Sequence, residues 1–65
     1  MKARIEFNRY GSSGNVFDII GRACAVLDLD TVITMFDRVK ASGSYDEALK
    51  IIGEYVELVD VSEVE

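Results

Sequence analysis

Residues 11–15, Gly-Ser-Ser-Gly-Asn, have side-chain types that could bind an anion. Two glycines in a turn that leads into a helix leave backbone N–H groups accessible, and the helix start carries partial positive charge. The two serines add hydroxyl donors, Arg9 precedes the turn, and Arg22 follows two helical turns later. A phosphate-bearing ligand would then be bound by Arg9, Ser12, Ser13, Gly14, Asn15 and Arg22.

The same turn also has a purely structural interpretation. It can simply connect a strand to a helix, with Asn15 as an N-cap whose side chain accepts a backbone N–H. The turn lacks the Lys-Ser/Thr ending of a Walker sequence, so it is not a P-loop. We favour the structural role, and binding of a phosphorylated small molecule or nucleotide is the alternative.

Catalytic and metal-binding residue types are scarce in this chain. It has no His and one Cys, so Cys24 has no imidazole to activate it, and the ligands for a zinc site are lacking. Cys24 lies among apolar residues, and we expect it in the core. Asp28, Asp30 and Asp37 do not have the spacing of an EF-hand loop. We therefore expect a protein that is not an enzyme and uses no cofactor or metal.

The length of 65 residues limits the chain to one domain with a marginal core. A single cysteine excludes an internal disulfide, so association between chains is the expected supplement to that core. We predict one domain over residues 1–65, with residues 62–65 as a frayed tail, and a homo-oligomer.

The net charge of −5 is unevenly distributed. Residues 1–24 carry four basic and two acidic residues, whereas residues 25–65 carry three basic and ten acidic residues. An acidic chain lacks the cations for phosphate contacts, so we expect no direct nucleic-acid binding. The C-terminal acidic run is typical of a solvated face, and it could also mimic nucleic-acid charge against a basic protein: Glu54, Glu57, Asp60, Glu63 and Glu65.

No segment has the roughly 18 consecutive apolar residues of a membrane span. The N-terminal segment alternates polar and apolar residues, which is not typical of a signal peptide. Together with the lone thiol, this predicts no membrane association and a cytoplasmic location.

The elements that position these residues follow from periodicity and capping signals. Residues 2–8 alternate with Ala3, Ile5 and Phe7 on one side, which predicts a strand. Residues 16–27 contain nine apolar residues and predict a helix that packs on more than one side. Gly21 inside that helix indicates close approach of another element.

Two further helices and a closing strand are predicted. Asp30 would cap a helix over residues 31–40, with Ile33 among its apolar residues, and Ser44 with Glu47 forms a capping box for a helix over residues 45–54. For residues 55–61 we favour a strand over a longer helix, because the first strand needs a partner for its backbone groups. The prediction is an α+β fold, strand–helix–helix–helix–strand, whose two-stranded sheet packs on the helices and could extend into a dimer at an exposed edge.

Three segments resemble a family of small bacteriophage and prophage proteins. Residues 14–23, Gly-Asn-Val-Phe-Asp-Ile-Ile-Gly-Arg-Ala, are similar to its Gly-Asn-Ala-Phe-x-Ile-(Ile/Leu/Met)-Gly-Arg pattern, from which Val16 departs. Residues 41–46 and 54–58 resemble its Ser-Gly-Asp-Tyr-Asp and aromatic-Val-Glu-Val segments, with a departure at Ser44. The resemblance implies a fold and a phage setting, in which the expected cytoplasmic location is the host cytoplasm. It implies no activity.

The resulting functional hypothesis is a phage-encoded binding protein that engages a host protein, with inhibition of a host defence protein as one outcome. An acidic and apolar surface on the second and third helices would make the contact, and tyrosines are frequent at interfaces. The expected interaction residues are Asp37, Tyr45, Tyr55 and Glu57. The alternatives are sequestration of a phosphorylated ligand at the turn, and a structural or accessory role in the phage.

Overall fold

A computed structural model of the chain describes residues 2–63. It confirms the predicted α+β fold and the order strand–helix–helix–helix–strand. The elements are β1 (Arg4–Phe7), α1 (Val16–Cys24), α2 (Leu29–Ala41), α3 (Tyr45–Ile52) and β2 (Glu57–Asp60), with short 3₁₀ turns at Ser12–Gly14 and Val61–Glu63.

The two strands form a parallel sheet in which Arg4 pairs with Glu57 and Phe7 pairs with Asp60. Parallel neighbours need a crossover connection, and the three helices supply it. β2 is shorter than the predicted strand over residues 55–61. Its start is delayed because the N–H of Val56 still donates to the carbonyl of Ile52, which continues the end of α3 as a turn.

The core lies between one face of the sheet and the inner faces of the helices. Arg4 and Glu6 lie on the opposite, exposed face of the sheet, where they form an ion pair. The buried apolar side chains are Ile5, Phe7, Ile19, Ile20, Ala23, Met35, Val39, Ala48, Ile52 and Val56.

Helix α1 buries one face only, so the prediction of packing on more than one side was wrong. Its buried residues are Ile19, Ile20 and Ala23. Cys24 is exposed, which corrects its predicted place in the core. The helix also ends at Cys24 instead of residue 27, because the N–H groups of Ala25 and Val26 donate to the carbonyls of Arg22 and Ala23, three residues back, and close the chain into a turn.

Helix α2 begins two residues earlier than predicted, and its N-cap is Asp28 instead of Asp30. The Asp28 backbone is extended, and its carboxylate accepts the Thr31 N–H at 3.3 Å and the Thr31 hydroxyl at 2.6 Å. These hydrogen bonds lower the pKa of Asp28. Asp30 lies inside the first helical turn, where its negative charge suits the helix dipole.

The predicted cap of α3 is confirmed in a modified form. The Ser44 hydroxyl accepts the N–H of Glu47 at 3.1 Å. The Glu47 carboxylate reaches back to the N–H of Gly43 at 2.9 Å, one residue before the cap. The helix ends at Ile52, two residues before the predicted end.

The chain after β2 is held in place at its first residues. The backbone N–H and the hydroxyl of Ser62 both donate to the Asp60 carboxylate, at 3.0 and 2.6 Å. The 3₁₀ turn Val61–Glu63 therefore replaces the start of the predicted frayed tail, and residues 64 and 65 lie outside the described residues. The longest helix of the described chain has 13 residues, and none of its helices is long and apolar enough to cross a membrane.

Two glycines have opposite surroundings. Gly14 is buried in the turn before α1, where an added Cβ would lie 2.5 Å from the carbonyl oxygen of Asn8 and 2.6 Å from Cα of Arg9. Beyond its chain neighbours and the backbone of its own helix, an added Cβ on Gly21 would meet no atom of residues 2–63 within 4 Å. The predicted close approach of another element at Gly21 was therefore wrong, and the close approach is at Gly14.

We predict that Gly14→Ala destabilises the fold by about 1–3 kcal/mol, because the backbone of β1's end must move away from the methyl group. Gly21→Ala is the matched control and should stabilise the fold by about 0.5–1 kcal/mol, since alanine favours the helix and meets free space. Urea unfolding followed by circular dichroism measures both. Equal stability of Gly14→Ala and the parent chain would contradict the packing at this turn.

Candidate functional site

The predicted anion-binding turn uses its polar groups within the chain. Asn15 is the N-cap of α1, as predicted, and its side chain accepts the N–H of Phe17 at 2.8 Å. The N–H of Gly14 donates to the carbonyl of Gly11, and the N–H of Asn15 donates to that of Ser12. These donors therefore hold the turn and do not point together at an empty site.

Ser13 and Arg9 are also engaged. The Ser13 hydroxyl accepts the N–H of Asn8 at 3.0 Å. The Arg9 guanidinium donates to the Asp46 carboxylate at 2.7 Å, and its Nε lies 3.8 Å from the carboxylate of Asp60. The hydrogen bond with Asp46 is the main reason that the pKa of Arg9 is raised. Arg9 thus joins the end of β1 to α3 and to the end of β2.

Arg22 lies apart from that cluster. Its guanidinium donates to the backbone carbonyl of Glu6, which places it against the outer edge of β1. Ser12 is exposed on the turn. The six residues predicted to bind an anion are therefore distributed over the turn, an ion-pair cluster and a strand edge.

The four predicted interaction residues do not form one patch. Tyr45 is half-buried at the start of α3 and donates its hydroxyl to the carbonyl of Gly14, and burial raises its pKa. Tyr55 lies beyond the far end of that eight-residue helix, about 12 Å away along its axis. Asp37 is exposed on α2 and Glu57 is exposed on β2.

Tyr55 is held by an ionic cluster of its own. Arg38 donates to the Tyr55 hydroxyl at 3.0 Å and to both carboxylate oxygens of Glu54 at 2.8 and 3.0 Å. The Arg38 hydrogen bond is the main cause of the lowered pKa of Glu54. These two tyrosines therefore serve mainly to connect elements of the fold.

The largest exposed apolar side chains lie mostly on α1, α2 and the connection between them. Phe17 and Leu29 are each 72% exposed, Ile33 is 51% exposed and Val26 is 50% exposed. We define the α1–α2 face as Phe17, Cys24, Val26, Leu29 and Ile33. Tyr10, which is 86% exposed, belongs to the turn after β1 and lies outside this set.

The spacing of these residues places them in two stripes. Phe17, Gly21 and Cys24 follow one another at single-turn intervals along α1, and Leu29 and Ile33 do so along α2. At one end of the face, Phe17 and the half-buried Phe36 line the same groove of about 400 Å³. At the other end, the connection between the helices carries Val26.

The sequence contained a signal for this face that periodicity alone did not resolve. Residues 16–27 hold nine apolar residues, more than the single buried face of a helix accommodates. From the sequence, this excess predicts a second packed side of the helix, with Cys24 in the core. The structure leaves that excess exposed.

Charged side chains of both signs are exposed on the two helices, and Lys40 lines the same groove as Phe17. Asp18 is exposed on α1, and Asp30 is exposed on α2. Asp37, also on α2, has Lys40 nearby at 3.5 Å. An apolar centre with a charged border is the usual layout of a protein–protein interface.

Within residues 2–63, no group of three or more His, Cys, Asp or Glu residues could hold a metal ion. No family model matches the chain, and neither the curated proteins nor the solved structures contain a match. The resemblance to phage proteins therefore stays a prediction.

The Asp60 carboxylate gives a prediction on pH dependence. Hydrogen bonds from Ser62, above all, and the charge of Arg9 hold the pKa of Asp60 below its ordinary value of 3.8. A carboxyl with a lowered folded-state pKa stabilises the fold above its unfolded pKa, and this contribution is lost as the pH falls through the folded value. Asp60→Asn should therefore be less stable than the parent chain at pH 7, and the difference should shrink below about pH 4.

Urea unfolding at a series of pH values measures this difference. Asp30→Asn is the control, because no hydrogen bond or ion pair of the Asp30 carboxylate occurs in the described part of the chain. It should change stability less at pH 7. A difference for Asp60→Asn that stays constant down to about pH 2 would contradict the assigned role of the carboxylate.

Proposed function

We propose that this protein is a non-enzymatic binding protein that engages a partner protein through the α1–α2 face, and that the partner is a host protein in a phage infection. The observation that carries the proposal is that Phe17 on α1 and Leu29 on α2 are each 72% exposed, and that Ile33, one turn after Leu29, is 51% exposed. Exposed apolar surface that exceeds scattered single residues marks interaction sites. The location differs from our sequence prediction, which placed the contact on the second and third helices.

The energy available from this face supports a specific contact. Full burial of one large apolar side chain contributes about 1.5–3 kcal/mol. Phe17, Leu29 and Ile33 together could therefore supply the apolar centre of a protein complex, in which a few buried side chains provide most of the affinity. The exposed Cys24 and Gly21 on the same helix are small and would allow a partner to approach α1 closely.

The charges around the face indicate the chemistry of the partner. Asp18 and Asp30 are exposed on the same two helices, and the chain carries a net charge of −5. A partner with an apolar groove and a basic border would be attracted and oriented by these carboxylates. From the resemblance to phage proteins we infer a partner in the host cell, where binding would block the partner's own contacts.

The two alternatives have less support. Binding of a phosphorylated ligand at residues 11–15 would require Arg9 and Arg22, and their guanidinium groups already bind Asp46 and the carbonyl of Glu6. A structural role in the phage particle would use the same apolar face, and the partner would then be a virion protein instead of a host protein.

The test is to capture the partner from host cells with the tagged protein, purify the partner, and measure the affinity of the purified pair by calorimetry. Phe17→Asp and Ile33→Asp should each weaken binding by about tenfold or more, because each removes apolar area and buries a charge. Tyr10→Asp is the matched control, since Tyr10 is 86% exposed and lies outside the face. It should bind like the parent chain.

Cys24 gives a second readout because it is the only thiol of the chain. The partner should slow its reaction with a maleimide, and should no longer do so with Phe17→Asp. Circular dichroism checks that each variant is folded. A partner that binds all three variants equally, or that leaves the thiol reactive, would refute the proposed face.

A further inference from the structure

Within residues 2–63, the outer edge of β2 has backbone groups without a hydrogen-bond partner. The N–H of Glu57 donates to the carbonyl of Ala3 on the β1 side. Successive residues of a strand point their backbone groups to opposite sides, so those of Leu58 point away from β1. Apart from that ladder, no hydrogen bond joins the N–H or the carbonyl of Leu58 to another group of the described residues.

The two edges of the sheet differ in how far other groups cover them. On β1, Arg22 covers the outer edge by donating to the carbonyl of Glu6. On β2, a groove of about 670 Å³ separates the strand from α3. Its apolar residues include Leu49 and Leu58, and its charged ones include Asp46 and Lys50. The β2 edge is therefore accessible to another strand, and the groove offers room for the side chains of that strand.

The sheet has fewer and shorter strands than parallel sheets usually have. It has two strands of four residues each, and they are parallel. Two-stranded sheets are marginally stable, and parallel sheets are normally larger and covered on both faces. An added strand at β2 would satisfy Leu58 and widen the sheet without disturbing the core.

We propose that a second copy of the chain adds its β2 to this edge, antiparallel, around a two-fold axis at Leu58. The N–H of each Leu58 donates to the carbonyl of the other Leu58, which is a hydrogen-bonded antiparallel pair. The result is a continuous four-stranded sheet in the order β1, β2, β2, β1. This goes beyond the proposed function, because it uses a different surface and does not depend on the partner.

The charges along β2 are compatible with a second copy as the occupant. In this register Glu57 lies opposite Val59 of the other chain, so no two carboxylates face each other along the strands. The two-fold axis is perpendicular to the sheet and keeps all helices on one face.

The size of the domain agrees with this assembly. The chain has 65 residues and a small core, which is the range in which association commonly supplements stability. The residues of the α1–α2 face do not line the groove beside β2. A dimer would therefore leave both copies of that face accessible, and could bind two partner molecules.

Backbone N-methylation tests the proposal directly, because a chain of 65 residues can be made by chemical synthesis. The unmodified protein should sediment at twice the 7.2 kDa mass of one chain. N-methylation of Leu58 removes only the donor at the β2 edge, and should raise the dimer dissociation constant by about tenfold or more. N-methylation of Arg4, whose N–H points outward at the β1 edge, is the matched control and should leave the constant unchanged.

A side-chain variant tests the register independently. Val59→Lys places an ammonium group opposite Glu57 of the other chain and should strengthen the dimer, most strongly at low salt. Circular dichroism and amide NMR spectra verify that each altered chain folds. Weakened dimers should keep the affinity of the α1–α2 face for its partner, which separates this proposal from the proposed function.

Three results would overturn the proposal. The first is a monomer at concentrations up to about 1 mM, which corresponds to an association too weak for a specific dimer. The second is a dimer that N-methylation of Leu58 does not weaken, since its interface would lie elsewhere. The third is a monomer whose Leu58 N–H becomes protected from hydrogen exchange only when an extended segment of another protein binds.

Discussion

The pairing of two short strands from opposite ends of the chain determines the rest of this structure. A four-residue strand cannot satisfy its own backbone groups, and the partner of Arg4–Phe7 is Glu57–Asp60. Because the strands are parallel, the chain between them must cross from one end of the sheet to the other, and the three helices make that crossing over one face. The core therefore forms on that face, and the sheet is left with two outer edges, of which Arg22 covers one.

This geometry also explains why the polar and charged residues best suited to bind a ligand are used to hold the fold together. The chain must turn from β1 into α1 within a few residues, and Gly14 lies against the backbone of Asn8 and Arg9 to do so. Hydroxyl, amide and guanidinium groups nearby are then required to hold the turn and to connect it to α3 and β2. An anion at residues 11–15 would have to displace these bonds. Exposed apolar area, in contrast, has no competing use within the monomer, and this moves the functional interpretation to the α1–α2 face.

The parts of the fold that depend on local signals could be predicted from the sequence. Alternation defined β1, and Asn15 and Ser44 marked the starts of α1 and α3 because a cap acts within one turn of the chain. The cap of α2 was missed because Asp28 and Asp30 are equivalent by type, and only the backbone conformation decides between them. Tertiary packing determines the direction of β2 and the exposure of Cys24. It also determines that the close approach to a glycine occurs at Gly14 and not at Gly21. Periodicity cannot show which of several apolar residues a small domain will cover.

That last point connects the size of the domain to its two proposed surfaces. A chain of 65 residues has a high ratio of surface to volume, so a sequence with 49% hydrophobic residues cannot bury all of them in one copy. The apolar area left exposed is concentrated on α1 and α2. The backbone N–H and carbonyl groups left free for hydrogen bonding lie at the edge of β2. The first suits a partner with its own apolar groove, and the second suits a strand, for which a second copy is always present at the same concentration. Because the two surfaces use different groups, one chain can be both a subunit of a dimer and a ligand of another protein.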